Sequence, residues 1–226
     1  MTLQLKDTPV PPEMTARMPA LASLRAELLS HIITHPAGQV LVRAAWNAAS
    51  IWPLKVQRTY RFGPPAELAD AAGFPYHWAY LADDAYTAAW EAQLCRNDAT
   101  RPGTFYIEHN AQQALIATLS FSAPLQLLDL TGLAASRLGI YDQLRSPDHG
   151  WCQWLGWQLD QVIAQEAGAM HGFVYPSRRQ PGKLAYAISS RHMAALGTSM
   201  ACSHVQFGNT EAYARLLADR LRVDPP

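Results

Sequence analysis

Short apolar segments recur along most of the chain, and prolines, glycines and asparagines separate them. A segment of this length, rich in alternating or continuous apolar residues and bounded by turn formers, is typical of a β-strand. We predict strands at 39–43, 55–62, 78–82, 103–109, 114–121, 125–130, 172–175 and 183–188. Because these segments do not alternate regularly with helices, a sheet made only of parallel βαβ units is not expected. The pattern indicates an α+β fold.

A few helices are predicted around these strands. Apolar residues from Leu21 to Ile33 recur at intervals of three and four, which predicts an amphipathic helix over 18–35 that Pro36 and Gly38 end. Asp83 or Asp84 is expected to cap a helix over 85–96. The other predicted segments are helices at 150–167 and 210–222, a loop with a short helical turn at 66–76, and a poorly ordered arm at 1–16. We therefore divide the chain into an N-terminal arm and helix, 1–37, and a larger domain, 38–226.

Composition excludes several classes of protein. Lys and Arg together number 18, as do Asp and Glu, so the formal net charge is zero. This balance argues against a protein that coats duplex nucleic acid, which needs an excess of basic residues. Apolar residues make up 49% of the chain, which rules out disorder. The apolar segments are too short to cross a membrane, and no secretory signal is evident. Three separated cysteines fit a reducing compartment, so a cytoplasmic location is expected.

Several familiar catalytic motifs are absent from the sequence, among them GxSxG, HExxH, GxxxxGK[ST] and GxGxxG.

Three weaker candidates are better explained by structure than by chemistry. His31 and His35 have the spacing of two metal ligands on one helix face, but no third ligand is evident. We therefore favour the interpretation that both lie on the polar face of the helix. Trp151, Trp154 and Trp157 recur every third residue, which favours packing in a core. Cys95 follows Glu91 by one helical turn without a histidine placed to activate it, so a nucleophilic role is not expected.

Three other segments carry residues suited to chemistry. In the first, Arg61 lies at the end of a predicted strand and before Gly63, where a planar guanidinium suits a phosphate or a carboxylate; a surface salt bridge is the alternative. In the second, Glu91 shares a helix face with small residues, which leaves room beside the carboxylate for a substrate, although a solvated glutamate is the alternative. In the third, Pro176 and Ser177 end a strand and present a hydroxyl at a fixed angle.

Taken together and in this order, the segments resemble the RES domain family, which is named for its arginine, glutamate and serine. Arg43 matches the first arginine of the family pattern, and Arg61, in Arg-Phe-Gly-Pro-Pro, matches the second. Tyr80 and Glu91 keep the family's interval of about eleven residues between tyrosine and glutamate. Ser177 matches the serine of a Gly-hydrophobic-x-Pro-Ser turn. The resemblance covers roughly residues 38 to 190.

The resemblance implies a fold and an activity. The fold would be a compact mixed or antiparallel sheet core with flanking helices, similar to that of ADP-ribosyltransferases, preceded here by an N-terminal helical extension. Members of the family are typically toxins of bacterial toxin–antitoxin pairs that split the nicotinamide–ribose bond of NAD by hydrolysis or phosphorolysis. NAD would be the substrate, and no metal is expected. The usual partner is a small helix-turn-helix antitoxin that blocks the active site; an immunity protein is an alternative, and a homo-oligomer is possible.

The resemblance also assigns roles to residues. Glu91 would stabilise the positive charge that develops on the ribose. Arg43 and Arg61 would hold the pyrophosphate, Tyr80 would stack on nicotinamide, and Ser177 would hydrogen-bond the amide or the ribose. Direct binding of nucleic acid or of a membrane is not expected.

The chain departs from the family pattern at two of these positions. Tyr60 stands where the family often has a glycine before the second arginine, and Ala44 stands where an aromatic or polar residue often follows the first. About eight extra residues separate Arg61 from Tyr80, and Arg58 is close enough to be the second arginine instead. Two alternatives to NAD degradation therefore stay open: transfer of ADP-ribose to a protein, and a degenerate RES-like module that only binds a partner.

Overall fold

The structure is a computed structural model, and it describes residues 10–166 and 168–226. Its helices are α1 (Pro12–Thr15), α2 (Leu21–Leu29), α3 (Ala85–Glu91), α4 (Leu133–Arg137), α5 (His149–Gln165), α6 (Ser190–Ser199) and α7 (Glu211–Leu217). Its strands are β1 (Ile32–His35), β2 (Val40–Ala45), β3 (Trp78–Ala82), β4 (Cys95–Asn97), β5 (Phe105–Ile107), β6 (Leu115–Phe121), β7 (Leu125–Asp129), β8 (Gly172–Pro176), β9 (Leu184–Ser189) and β10 (Met200–Gln206).

Eight of these strands form one curled sheet in the order β1-β7-β8-β9-β3-β2-β6-β10. Its neighbouring strands are antiparallel except β7 and β8, which are parallel. The small strands β4 and β5 pair separately. The predicted α+β class with a mixed sheet and N-terminal helices is confirmed. The division of the chain at residue 37 stays a prediction.

Helices cover the sheet and bury its apolar residues. The largest cluster of buried side chains lies between α2, α5 and the sheet, and it includes Leu24, Leu28, Trp151 and Phe173, each 0% exposed. Trp154 is 4% exposed and Trp157 packs against the same cluster, so the predicted packing role of the three tryptophans is confirmed. In residues 10–166 and 168–226, no helix is long and apolar enough to cross a membrane.

The predicted first helix was wrong in its second half. The helix ends at Leu29, and Ile32–His35 forms strand β1, which pairs antiparallel with β7. The apolar spacing continues past Leu29, but a β-branched pair at Ile32 and Ile33 fits a sheet, and the edge of β7 was available for pairing. Residues 1–9 of the predicted arm lie outside the described residues, and Pro12–Thr15 forms α1.

The predicted strand at 55–62 was also wrong. The segment pairs with no strand of the sheet, although β2 and β3 meet at a single pair of residues, Val42 and Ala82. Its backbone instead forms hydrogen bonds with side chains: the Phe62 N–H donates to the Tyr80 hydroxyl, and the Phe62 carbonyl accepts from Trp78 Nε1. The short helical turn within 66–76 is confirmed as a 3₁₀ turn at Ala66–Leu68.

The end of the helix that carries Glu91 also differs from the prediction. Helix α3, which Asp84 caps, ends at Glu91 rather than at residue 96, because Gln93 adopts a left-handed conformation with φ of 58° and the Leu94 N–H closes the helix on the Ala89 carbonyl. Cys95 therefore lies on β4. Helix α6 and strand β10 were not predicted.

A close backbone contact joins α5 to the loop that carries Arg61. A Cβ placed on Gly156 would lie 1.9 Å from the Phe62 carbonyl oxygen, so only glycine fits there without a shift of the loop. We expect Gly156→Ala to lower the free energy of unfolding by about 1–3 kcal/mol or more through overpacking. Gly150→Ala, in the same helix, meets only ordinary contacts at 3.5 and 3.6 Å and is expected to be neutral or to stabilise by up to about 1 kcal/mol. Urea unfolding followed by circular dichroism measures the stability of the two variants. Equal stabilities would contradict the claim that the contact between Gly156 and Phe62 excludes a larger side chain.

Candidate active site

A cavity opens where the sheet is incomplete. Strand β2 pairs with β6 along its whole length, but it pairs with β3 only at Val42 and Ala82. Beyond that pair the two strands do not hydrogen-bond as a ladder, and a cavity of about 610 Å³ lies there. Arg43, on β2, bridges the gap: its Nη1 donates to the Tyr80 carbonyl at 2.8 Å and its Nε donates to the Ser50 carbonyl at 3.0 Å. The backbone geometry of the cleft therefore depends on this guanidinium.

The lining of the cavity is strongly basic although the whole chain carries no formal net charge. Among the described residues, the cavity is lined by one carboxylate, Glu91, and by six arginines: Arg43, Arg58, Arg61, Arg96, Arg178 and Arg179. Arg96 is neutralised by Glu108 at 2.6 Å. Such a concentration of guanidinium groups is suited to an anionic ligand, because each one presents several donors to phosphate oxygens.

Of the predicted catalytic residues Glu91, Arg61 and Ser177, the glutamate and the serine are in direct contact. Ser177 Oγ donates a hydrogen bond to Glu91 Oε1 at 2.6 Å, although the two residues are 86 positions apart. The same Oγ accepts from the backbone N–H groups of Arg179 and Gln180, at 3.2 and 3.0 Å. Because these donors occupy the lone pairs of the hydroxyl, its proton is directed towards the carboxylate. Glu91 is thus held by a side chain that is only 4% exposed.

Arg61 is buried in the wall of the cavity with unused hydrogen-bonding capacity. Only 8% of the residue is exposed, and its Nη2 donates to the carbonyls of Leu144 and Ser146. Within the described residues, its Nε and Nη1 have no hydrogen-bond partner. Burying a charged donor without a partner is costly, so Arg61 keeps hydrogen-bonding capacity that the described residues do not use.

Tyr80 joins the two arginine-bearing segments. Its hydroxyl accepts from the Phe62 N–H at 3.1 Å, and its carbonyl accepts from Arg43. Burial raises the pKa of the phenol well above its ordinary value, and Arg61 and Arg43 offset this only partly. Burial also lowers the pKa of Arg43 to about 10, against weaker opposing effects of Tyr60 and Tyr80. All five residues predicted from the sequence therefore lie at or against one cleft.

Arg178, Arg179 and His149 are charged or titratable cleft residues that were not predicted as part of the site. Burial, followed by repulsion from Arg61 and Arg179, lowers the pKa of Arg178, while Glu91 opposes the shift. Burial lowers the pKa of His149, and repulsion from Arg178, Arg61 and Arg179 lowers it further, so the neutral imidazole is favoured. Arg178 and Arg179 directly follow Ser177 in the sequence, and this position could have identified them as site residues. No local signal marks His149, because only the packing of α5 brings its first turn to the cleft.

The weaker candidates for chemistry lie elsewhere. His35 lies on β1 and His31 lies in the turn before it, so they do not share a helix face, and the predicted spacing does not apply. No group of three or more His, Cys, Asp or Glu side chains is arranged to hold a metal in residues 10–166 and 168–226. Cys95 is buried on β4, and burial raises the pKa of its thiol.

A comparison with models of protein families identifies the family of the chain. The model of the RES domain matches residues 60–208, which is well over half of the chain and includes Arg61, Tyr80, Glu91 and Ser177. Arg43 precedes the matched range. No curated protein is similar enough in sequence to match. The chain therefore belongs to the RES domain family, a family of NAD-targeting toxins.

Proposed function

We propose that this protein cleaves the nicotinamide–ribose bond of NAD, by hydrolysis or by phosphorolysis. The observation that carries the proposal is the contact of 2.6 Å between Ser177 and Glu91, at the edge of a cleft lined with arginines. A dinucleotide presents to such a cleft a diphosphate for the guanidinium groups and a cationic glycoside for the carboxylate. Both features of NAD are therefore complementary to the charges of the site.

The reaction requires positive charge on the ribose to be stabilised. As the bond from C1′ to the pyridinium nitrogen breaks, its electron pair stays with nicotinamide, which leaves as a neutral molecule, and C1′ acquires the character of an oxocarbenium ion. Glu91 provides negative charge next to this centre, and Ser177 holds the carboxylate in place or binds the ribose or the amide. Water or phosphate then forms a new bond from its oxygen to C1′; water loses its proton to solvent. No strong general acid is needed, because the leaving group is neutral.

The arginines fix the substrate without touching the scissile bond. Arg61, which lines the cavity, is proposed to bind the diphosphate, and Arg43 is proposed to add the N–H groups that do not bridge the strands. Charge-assisted bonds from guanidinium groups to phosphate are among the strongest in proteins. The ring of Tyr80 is proposed to stack on nicotinamide.

The direct test is incubation of the purified protein with NAD, with and without phosphate. We expect nicotinamide to be released, with ADP-ribose formed in water alone and ADP-ribose 1″-phosphate formed if phosphate is the nucleophile. Chromatography of the products separates the two. If NAD is consumed under neither condition, the proposal is wrong. Label from NAD on a macromolecule would instead support ADP-ribosyl transfer, and no binding of NAD would support a degenerate partner-binding module.

RES toxins typically pair with antitoxins. We propose a small helix-turn-helix antitoxin or an immunity protein as the partner of this chain. A cytoplasmic location and a homo-oligomeric state stay predictions.

A further inference from the structure

Tyr175 lies at the cleft but has no part in the reaction described above. It is on β8, two residues before Ser177, and it lines the same cavity as Glu91. Side chains alternate between the two faces of a strand, so Tyr175 and Ser177 lie on the same side of the sheet. The packing agrees with this alternation: Tyr175 belongs to the same buried cluster as Phe173, whereas Val174 belongs to a different one.

Contacts place Tyr175 next to two parts of the site. Ser177, which follows it on the same face of the strand, donates to the Glu91 carboxylate at 2.6 Å. The centre of the Tyr175 ring also lies 5.0 Å from that of Phe62, with an angle of 67° between the two rings, and Phe62 directly follows Arg61. Tyr175 therefore neighbours both the serine that holds the carboxylate and the loop that carries Arg61.

The hydroxyl is the part of Tyr175 that can act on a ligand. The residue is 1% exposed and its ring packs in the core, so the hydroxyl is the polar group that it can present to the cavity. Burial raises the pKa of the phenol well above its ordinary value, Glu91 raises it further, and Arg61 opposes the shift. Within the part of the chain that the structure describes, no hydrogen bond contributes to this shift. The hydroxyl therefore stays protonated and can donate to a ligand.

We propose that the Tyr175 hydroxyl binds a hydroxyl group of the ribose next to nicotinamide. This inference rests on the proposed function, which places C1′ of that ribose at Glu91 and the diphosphate at Arg61 and Arg43. The ribose joins these two parts of the substrate, and Tyr175 neighbours residues assigned to both. A phenol suits this position, because it donates and accepts hydrogen bonds as a ribose hydroxyl does and adds no charge beside the developing cation.

The first test removes the hydroxyl alone. Tyr175→Phe keeps the ring contacts with Phe62 and Phe173, so thermal unfolding should be unchanged. We expect kcat/KM for NAD to fall about 2- to 12-fold, the usual contribution of one neutral hydrogen bond. Tyr76→Phe is the matched control: Tyr76 is 2% exposed, its hydroxyl is buried without a partner among the described residues, and it lies outside the cavity lining. Its kcat/KM should match the wild type, whereas an unchanged value in Tyr175→Phe overturns the proposal.

The second test separates contact with the ribose from a structural role. The substrates are NAD and two analogues, which lack the 2′- or the 3′-hydroxyl of the nicotinamide ribose. The ratio of kcat/KM in the wild type to that in Tyr175→Phe is taken for each substrate, so that the different reactivities of the analogues cancel. This ratio should be about 2 to 12 for NAD and about 1 for the analogue that lacks the bound hydroxyl. Equal ratios for all three substrates would show that Tyr175 does not contact the ribose.

Binding of ADP-ribose, measured by isothermal titration calorimetry, distinguishes failure of this inference from failure of the proposed function. ADP-ribose contains the same ribose, so Tyr175→Phe should bind it about 2- to 12-fold more weakly than the wild type does. If this difference is found but the wild type does not cleave NAD, the ribose contact holds and the proposed cleavage is wrong. If the wild type cleaves NAD and the variant does so equally well, the contact is wrong and the activity holds. A wild type that neither cleaves NAD nor binds ADP-ribose overturns both.

Discussion

Replacement of Glu91 by glutamine is expected to lower the rate of NAD cleavage about 100- to 1,000-fold, the usual cost of removing one preorganised electrostatic contact to a transition state. Glutamine has nearly the same volume, and its carbonyl oxygen can still accept the hydrogen bond from Ser177. The loss would therefore come from the missing negative charge beside the ribosyl cation. Release of nicotinamide under single-turnover conditions measures the chemical step.

Two controls separate this effect from structural damage. Thermal unfolding of Glu91→Gln should match the wild type, and ADP-ribose should bind with similar affinity, because the arginines are unchanged. Ser177→Ala removes the group that holds Glu91 but leaves the carboxylate charge, so its rate should fall less than that of Glu91→Gln. A glutamine variant that cleaves NAD at nearly the wild-type rate would exclude Glu91 as the stabilising charge.

Replacement of Arg191 by methionine is expected to have the largest effect on stability. Arg191 forms a two-pronged ion pair with Asp160, with Nε to Oδ1 at 2.9 Å and Nη2 to Oδ2 at 2.7 Å, and Asp160 is 0% exposed. Removal of one partner leaves a buried carboxylate unpaired, which typically costs about 3–5 kcal/mol. Because the Arg191 side chain is 32% exposed and water can reach the site, we expect about 3 kcal/mol.

The stability lost in Arg191→Met should depend on pH, and the direction of that dependence can be predicted. Burial raises the pKa of Asp160 and Arg191 opposes the shift, so the variant should have a still higher pKa in the folded state. The folded protein then binds more protons than the unfolded chain, and its stability falls as pH rises from about 3.9 through the raised pKa. Urea unfolding at about pH 5 and pH 8 should show the larger deficit at pH 8.

A double variant provides the control for this ion pair. Asp160→Leu combined with Arg191→Met replaces both charges with apolar side chains, a change that is often neutral or stabilising for a buried pair. The double variant should recover most of the stability that the single variant loses. The difference in stability between the double variant and the wild type should no longer show the pH dependence that the unpaired Asp160 causes in the single variant. If the double variant is as unstable as the single variant, the cost does not come from the unpaired charge.

Local patterns in the sequence were reliable where local physics decides the structure. The strand at Trp78–Ala82 was predicted with its final bounds, and Asp84 caps α3 as expected. Both features depend on residues within a few positions of each other. The predicted strand at 55–62 failed because a strand forms only where the tertiary structure supplies a pairing partner, and local residue preference does not reveal that partner.

The sequence by itself determined the fold class, the family and the ordered set of Arg43, Arg61, Tyr80, Glu91 and Ser177. Residue types and their spacing are local properties, and a family pattern can record them. Only the tertiary structure brings Ser177 to 2.6 Å from Glu91 and adds His149 to the cleft. These contacts join segments far apart in the chain, so they exist only after the sheet has formed and α5 has packed against it.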